Sequence, residues 1–105
     1  KIDFFKNRVF VLTPKNEIID LPEGATPVDF AYYIHSGIGN SMTGTKVNDM
    51  IVPFSYELMS GDMVEIITQK NKKVNIKMLK DAKTPSAKDQ IRSALKKQGS
   101  LPKLR

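Results

Sequence analysis

Apolar runs separated by turn residues predict strands on either side of one helix in the first two thirds of the chain. Short runs rich in β-branched residues and bounded by turn residues are typical of strands. Runs of this kind lie at residues 9–13, 17–21, 43–47, 50–53 and 63–68. Asn16 tolerates the left-handed conformation of a tight turn, and Asn48-Asp49 is a favoured two-residue hairpin loop. The pattern therefore predicts two hairpins and one further strand.

A helix is predicted between the second and third strands. Thr26 can cap its first turn, Pro27 suits the first helical position, and Asp29 completes a capping-box-like pair with the threonine. At about 100° per residue, the apolar side chains that follow share one face of the helix. They are Phe30, Ala31, Ile34 and Ile38. Gly37 and Gly39 are expected to end the helix.

The order strand, strand, helix, strand, strand, strand predicts an α+β fold, namely a mixed sheet that holds one packed helix. This is the layout of a ubiquitin-like β-grasp domain. We expect its core to join Phe30 and Ile34 of the helix to Val64 and Ile66 of the last strand. The chain of 105 residues suits one small domain with an appendage rather than two full domains.

Charge divides the chain near residue 69. Residues 1–69 carry five Lys/Arg and nine acidic residues, a net charge of −4, whereas residues 70–105 carry twelve Lys/Arg and two acidic residues, a net charge of +10. We therefore predict a β-grasp domain at residues 4–69 and a basic linker with a partly helical segment at 70–105. A basic segment favours contact with nucleic acid, although lysines that merely face solvent would look the same.

The basic segment contains one predicted helix, at residues 87–98. Pro85-Ser86 can begin it and Gly99 can end it. Its apolar stripe consists of Ile91 and Leu95, one turn apart. Because so thin a stripe stabilises a helix poorly, we expect this helix to need a packing partner from outside the fragment, and residues 70–105 to be less ordered than the domain before them.

Composition excludes several classes of function. The chain has no cysteine, so it has no disulfide and no thiolate metal site. No apolar run approaches the roughly 20 residues of a membrane span, and we expect no membrane partner. The chain contains one histidine, its acidic residues occupy predicted turns and caps, and no metal-ligand spacing occurs. We therefore expect neither catalysis nor a cofactor in this fragment.

Several motifs over about residues 4–69 resemble the TGS domain of long RelA/SpoT homologues. The motifs are Val9-Phe10-Val11-Leu12-Thr13-Pro14-Lys15, Asp20-Leu21-Pro22-Glu23-Gly24-Ala25-Thr26-Pro27, Asp29-Phe30-Ala31-Tyr32, Ile34-His35-Ser36-x-Ile38-Gly39, Lys46-Val47-Asn48, Ile51-Val52-Pro53 and Leu58-x-x-Gly61-Asp62-x-Val64-Glu65-Ile66. The last motif is found in TGS domains generally, including those of threonyl-tRNA synthetases and some GTPases. The string at residues 30–39 narrows the resemblance to RelA/SpoT. Farther along, Lys83-Thr84 is similar to the segment that follows the TGS domain in this family, although the family's Trp-Leu pair is here Met78-Leu79.

The resemblance implies a regulatory domain in a cytoplasmic (p)ppGpp synthetase/hydrolase, a GTP pyrophosphokinase, whose catalytic domains precede it. We expect the present chain to be a piece of such an enzyme. In this family the TGS domain grips the free 3′-CCA end of deacylated tRNA on the ribosome and so controls the stringent response. The gripping histidine of the family falls on His35. An arginine that often helps to hold the RNA falls on Ser41.

Two residues are candidates for contact with RNA, each with a simpler alternative. His35, at the flank of the helix, can stack on an unpaired base and form a hydrogen bond, or can be a half-buried residue at the margin of sheet and helix. Lys46, in a strand beside a turn, can reach a phosphate or face solvent. Tyr32 and Tyr33 leave the apolar stripe, and can stack on bases or cover a sheet edge.

A second class of function is protein binding. The β-grasp surface can hold another domain of the same enzyme, or an acyl carrier protein as in some members of the family. The acidic character of residues 1–69 favours a basic protein surface over bare RNA. Sequence alone leaves both classes open.

Overall fold

The computed structural model of the chain describes residues 7–99, which contain five strands and four helices. The strands are β1 (Arg8–Leu12), β2 (Ile18–Pro22), β3 (Met42–Val47), β4 (Met50–Val52) and β5 (Val64–Thr68). The helices are α1 (Pro27–Ile34), α2 (Ser36–Ser41), α3 (Met78–Asp81) and α4 (Pro85–Gln98). The five predicted strands and the starts of both predicted helices are confirmed, whereas the first helix ends earlier than predicted and α2 and α3 were not predicted. The predicted domain start at residue 4 and the end of the basic segment lie outside the described residues.

The strands form a two-stranded and a three-stranded antiparallel sheet, which lie side by side. β1 pairs with β2, and β3 pairs with both β4 and β5, always antiparallel. The two groups are joined by a parallel bridge between Leu12 and Met63, where the Leu12 N–H donates to the carbonyl of Asp62 at 2.8 Å. The resulting strand order, β2-β1-β5-β3-β4 with α1 across it, is that of a ubiquitin-like β-grasp fold, as predicted.

Both predicted turns have the backbone that their residues favour. Asn48 and Asp49 have φ angles of 52° and 69°, so the hairpin between β3 and β4 is closed by two left-handed residues. The Asn48 side chain also accepts a hydrogen bond from the Met63 N–H at 2.9 Å, which ties this turn to the beginning of β5. Asn16 is left-handed as well, with φ 67°.

The core between the sheet and α1 differs from the prediction at one position. Phe30 is buried with Val64, and Ile66 packs partly buried against them, but Ile34 is 41% exposed. The prediction that Ile34 is a core residue is therefore wrong. β1 and β5 are joined only at Leu12–Met63 within the described residues, so the turn after β1 leaves β5 and an open groove remains beside the Ile34 side chain.

The opposite side of α1 is covered by α4. Ala87, Ile91 and Leu95 of α4 are buried in one cluster with α1. The other buried members of this cluster are Val28, Ala31, Tyr32, Met42, Val74, Met78 and Ala82. The expectation that α4 needs a partner from outside the chain is therefore wrong, because its partner is α1. Val74, Met78, Ala82 and Ala87 make the apolar surface of this segment wider than two residues suggested.

The segment between β5 and α4 is also tied to the end of α4. Gln98 accepts a hydrogen bond from the Val74 N–H at 2.7 Å and donates to the Val74 carbonyl at 3.0 Å. Gly99 then ends α4 in the left-handed conformation, with φ 72°, as predicted. Packing therefore crosses the predicted boundary at residues 69 and 70, while the division into two domains stays a prediction.

A buried carboxylate joins the starts of the two long helices. Asp29, 2% exposed, accepts hydrogen bonds from the Thr26 N–H at 2.9 Å, the Lys83 N–H at 2.9 Å, the Thr84 N–H at 2.9 Å and the Thr84 hydroxyl at 3.0 Å. Thr84 in turn caps α4 by accepting from the Ala87 N–H at 3.2 Å. The predicted N-terminal cap of α1 thus also holds the beginning of α4 in place.

We predict that Asp29→Asn lowers the free energy of unfolding by on the order of 3 kcal/mol, because the amide turns a donor group toward backbone N–H groups that are buried and need an acceptor. Chemical denaturation measures the loss. The matched control is Asp20→Asn, at an exposed carboxylate paired with Arg8, for which we expect a change below about 1 kcal/mol. Equal effects of the two substitutions would contradict the role assigned to Asp29.

Candidate functional site

His35 links α1 to α2. Its backbone is extended, its N–H donates to the Ala31 carbonyl at 3.1 Å and closes α1, and its Nδ1 accepts from the Gly37 N–H at 2.8 Å and caps α2. The prediction that Gly37 and Gly39 end the first helix is therefore wrong. Both glycines lie inside α2, and α1 ends because the histidine leaves the helical conformation to cap the next helix.

The cap determines which nitrogen of His35 stays accessible. A neutral imidazole has one N–H, and since Nδ1 accepts from the Gly37 N–H, the proton lies on Nε2. His35 is exposed, so the alternative of a half-buried histidine is wrong. The structure therefore presents an accessible aromatic ring, held at one edge, with a donor at the other.

A buried tyrosine fixes α2 against α1. Tyr32 is 3% exposed and its hydroxyl donates to the Asn40 side chain at 2.7 Å. A Cβ at Gly39 would lie 2.6 Å from the Tyr32 ring, so α2 approaches the ring as closely as a glycine allows. Neither of the two predicted roles fits Tyr32, because its ring lies in the core under α4. Tyr33 is 60% exposed and stays open to solvent.

Burial also changes the chemistry of Tyr32. Loss of solvation raises the pKa of its phenol from 10.0 to about 12. An unfolded tyrosine ionises at the lower value, so the unfolded state binds fewer protons than the folded state between the two. The free energy of unfolding therefore falls as the pH rises from about 10 to about 12.

The Ser41 side chain forms a hydrogen bond within α2 and does not project from the helix. Its hydroxyl donates to the Gly37 carbonyl at 2.7 Å, one turn earlier in the same helix. The position where the family often has an arginine therefore carries a short side chain that already has a partner. No cation is presented from this position.

An apolar groove lies beside His35. Ile34, directly before the histidine, and Ile38, in the first turn of α2, line it together with Ile66 of β5 and the turn at residues 13–17. Its volume is about 310 Å³. This groove occupies the place where the β1–β2 turn leaves β5, so Ile34, which the sequence pattern assigned to the core, instead lines an open apolar surface.

Lys46 lies away from this site. It is opposite Ile51 of β4 and Glu65 of β5, and its neighbours Thr45 and Val47 are buried under the helices. Because side chains alternate along a strand, Lys46 points to the other face of the sheet. The structure therefore does not bring the two predicted RNA-contacting residues together.

Two contacts were not predicted from the sequence. One joins Asp29 to the start of α4, and the other joins Tyr32 to Asn40. The threonine-proline pairs at 26–27 and 84–85 both mark helix starts, but no local signal shows that they share one carboxylate. Among residues 7–99, no three His, Cys, Asp or Glu side chains converge as metal ligands. The same residues include no helix long and apolar enough to cross a membrane.

We predict that Gly39→Ala destabilises the chain by about 1–3 kcal/mol, because the new methyl group would overlap the Tyr32 ring and force α2 away from α1. Thermal or chemical unfolding measures the change. Gly44→Ala is the matched control, since a Cβ there would meet Ile67 at an ordinary 3.4 Å. A Gly39→Ala variant as stable as the control would refute the close fit.

Comparison with known proteins gives the family. The family model for the TGS domain matches residues 9–68. The chain is 50% identical over 98 residues to a guanosine-3′,5′-bis(diphosphate) 3′-pyrophosphohydrolase of Aquifex aeolicus, which covers 93% of this chain and 14% of that protein. It is 47% identical over 98 residues to a GTP pyrophosphokinase of Myxococcus xanthus, over 93% of this chain and 13% of the relative.

A GTP pyrophosphokinase of Escherichia coli strain K12 is 56% identical over 66 residues, which is 63% of this chain and 9% of that protein. The chain thus spans a small fraction of each relative. The longer alignments extend past the TGS match into the segment that packs as α3 and α4. The chain belongs to the TGS domain family, a family of regulatory domains, and is similar to the TGS domains of RelA/SpoT-type enzymes.

Proposed function

We propose that this chain is the regulatory TGS domain of a cytoplasmic RelA/SpoT-type (p)ppGpp synthetase/hydrolase, and that it senses the 3′-CCA end of deacylated tRNA on the ribosome. Family membership and the names of the relatives support the parent enzyme. The observation that supports the RNA contact is the exposed ring of His35, held by the Gly37 N–H at 2.8 Å.

The geometry suits an unpaired nucleotide. A free 3′ end can stack a base on the imidazole and accept a hydrogen bond from Nε2, while Ile34 and Ile38 offer an apolar surface for a second base. Stacking of a base on an aromatic side chain contributes about 1–3 kcal/mol. An aminoacyl group on the terminal ribose would have to occupy the same space, so charged tRNA would be rejected by steric conflict.

Neither Ser41 nor Lys46 strengthens the proposed contact between His35 and RNA. Ser41 is committed to the Gly37 carbonyl, and Lys46 lies on the other face of the sheet. A single ring and one donor bind a flexible RNA end weakly, so we infer that the ribosome positions the tRNA and the histidine discriminates its end.

We predict that His35→Ala, in the complete enzyme, lowers ribosome- and tRNA-stimulated (p)ppGpp synthesis by about one to two decades and leaves basal synthesis unchanged, because one stacked base is lost. Rates of synthesis with and without ribosomes and deacylated tRNA measure this. His35→Ala also removes the cap of α2, so the decisive variant is His35→Asn.

Asparagine is a good N-cap and can accept from the Gly37 N–H, but it has no ring. We therefore expect His35→Asn to restore stability and not stimulation. Recovery of stimulation in His35→Asn would mean that the histidine acts through the cap alone. Full stimulation in His35→Ala would contradict the assignment of the site.

A second candidate function is protein binding, favoured by the outer face of the sheet. Phe10, Ile18 and Ile51 all point away from the helices and are 49%, 69% and 68% exposed. The candidate partners are the other domains of the parent enzyme and acyl carrier protein. Apolar anchors of this kind commonly supply the binding energy of protein interfaces.

We predict that, if this face binds a protein, Ile51→Glu weakens the affinity for the separately purified partner by more than about tenfold, because it places a charge at an exposed apolar position of the contact. Calorimetric titration with acyl carrier protein and with the catalytic domains measures it. His35→Asn is the control and should bind normally. Unchanged affinity in Ile51→Glu would exclude the sheet face.

A further inference from the structure

The basic segment folds onto the domain but keeps its charges at the surface. Residues 70–99 contain ten Lys/Arg and two acidic residues. Eight of these cations are exposed and two, Lys72 and Lys88, are half-buried. Lysines that only face solvent can have any spacing, whereas lysines that bind a partner must match its charges. The spacing of these cations therefore distinguishes the two cases.

On α4 the cations form a row. Lys88, Arg92 and Lys96 follow each other at four-residue intervals, which places them on one flank of the helix about 6 Å apart along its axis. Asp89 pairs with Arg92 at 3.2 Å, but both side chains are largely exposed, so a phosphate group can replace the carboxylate at little cost. A row of cations at regular intervals matches the regularly spaced phosphates of a nucleic-acid backbone.

A second group of cations lines a groove between the basic segment and the sheet. The groove has a volume of about 330 Å³. It is lined by two lysines, one carboxylate and a mixture of polar and apolar residues, namely Lys72, Lys77, Asp81, Thr43, Ser55, Asn75, Pro53, Phe54 and Met78. The ammonium groups of Lys72 and Lys77 and the hydroxyl of Ser55, beside the Phe54 ring, are groups that proteins use to hold nucleic-acid backbones, whereas the Thr43 hydroxyl already donates to the Ile67 carbonyl at 3.3 Å.

The basic helix lies next to the candidate site. α4 contacts both α1 and α2, and α2 begins directly after His35. A nucleic acid whose end reached His35 would therefore run within reach of α4.

Two other partners fit this surface less well. Helices that bind anionic membranes insert an apolar face, whereas the apolar face of α4, with Ala87, Ile91 and Leu95, is buried against α1. Protein interfaces have apolar centres and few lysines, and this surface is dominated by lysine. A lysine-rich surface without an apolar centre therefore favours binding to the phosphate backbone of a nucleic acid.

We propose that the cations of residues 70–97 bind the phosphate backbone of duplex RNA without reading its sequence. The inference rests on the proposed function for the class of partner, and places the paired part of an RNA along α4 while its unpaired 3′ end meets His35. Binding through phosphates releases counterions, so it must weaken steeply with salt.

The test uses the full chain and a short blunt-ended RNA duplex, which has no unpaired 3′ nucleotides. Fluorescence anisotropy gives the dissociation constant between about 50 and 200 mM salt. We expect Lys77→Gln/Arg92→Gln/Lys96→Gln to weaken binding by on the order of tenfold and to reduce the logarithmic salt slope by about 2–3. The matched single-charge controls are Lys96→Gln, which should reduce the slope by about 1, and Lys15→Gln, which should not change it.

The charge-preserving variant Lys77→Arg/Arg92→Lys/Lys96→Arg should retain binding, which separates loss of charge from loss of fold. His35→Asn should bind the duplex normally, so a failure of the His35 assignment would leave the lysine effect intact. A triple Gln variant that binds within about twofold of the original chain with an unchanged slope would overturn the proposal. So would stronger binding to phosphatidylserine vesicles than to the duplex at the same salt concentration.

Discussion

The Asp29 carboxylate is the contact on which the rest of this structure depends. It is buried, and it accepts hydrogen bonds from the Thr26, Lys83 and Thr84 backbones and from the Thr84 hydroxyl. A buried charge without such partners would cost several kcal/mol, whereas hydrogen bonds to a charged acceptor are among the stronger ones in proteins. The same oxygens therefore cap α1, orient the cap of α4 and fix where the two helices meet.

The candidate site follows from that arrangement. With α4 in place, α1 is buried on two sides, and Tyr32 becomes the centre of the packing between α1, α2 and α4. Its ring and the absent side chain of Gly39 bring α2 close, and the hydroxyl fixes Asn40. His35 then has to end one helix and cap the next, which leaves its ring exposed. The exposed histidine is thus a consequence of packing several residues away.

The same packing brings the acidic and the basic parts of the chain together in one folded body. Along the chain, an acidic part is followed by a basic part, which suggests a domain with a detached tail. In three dimensions, the basic part covers α1 through its apolar residues and directs its lysines outward. The histidine and the row on α4 therefore belong to one body, as the RNA contact that we propose requires. The outer face of the sheet carries exposed apolar side chains instead of this positive charge.

Sequence alone determined the five strands, the starts of α1 and α4, the turns, the β-grasp order and the family, because these depend on local properties: the φ angles that Asn tolerates, Thr-Pro helix starts, β-branched runs and motif spacing. Tertiary structure decided burial. Ile34 sits on the predicted apolar face yet is exposed, because the β1–β2 turn leaves β5, and Tyr32 lies off that face yet is buried, because α4 covers it. Which side of an element meets another depends on contacts between residues far apart in the chain, such as Asp29 with Thr84, and no local pattern encodes them.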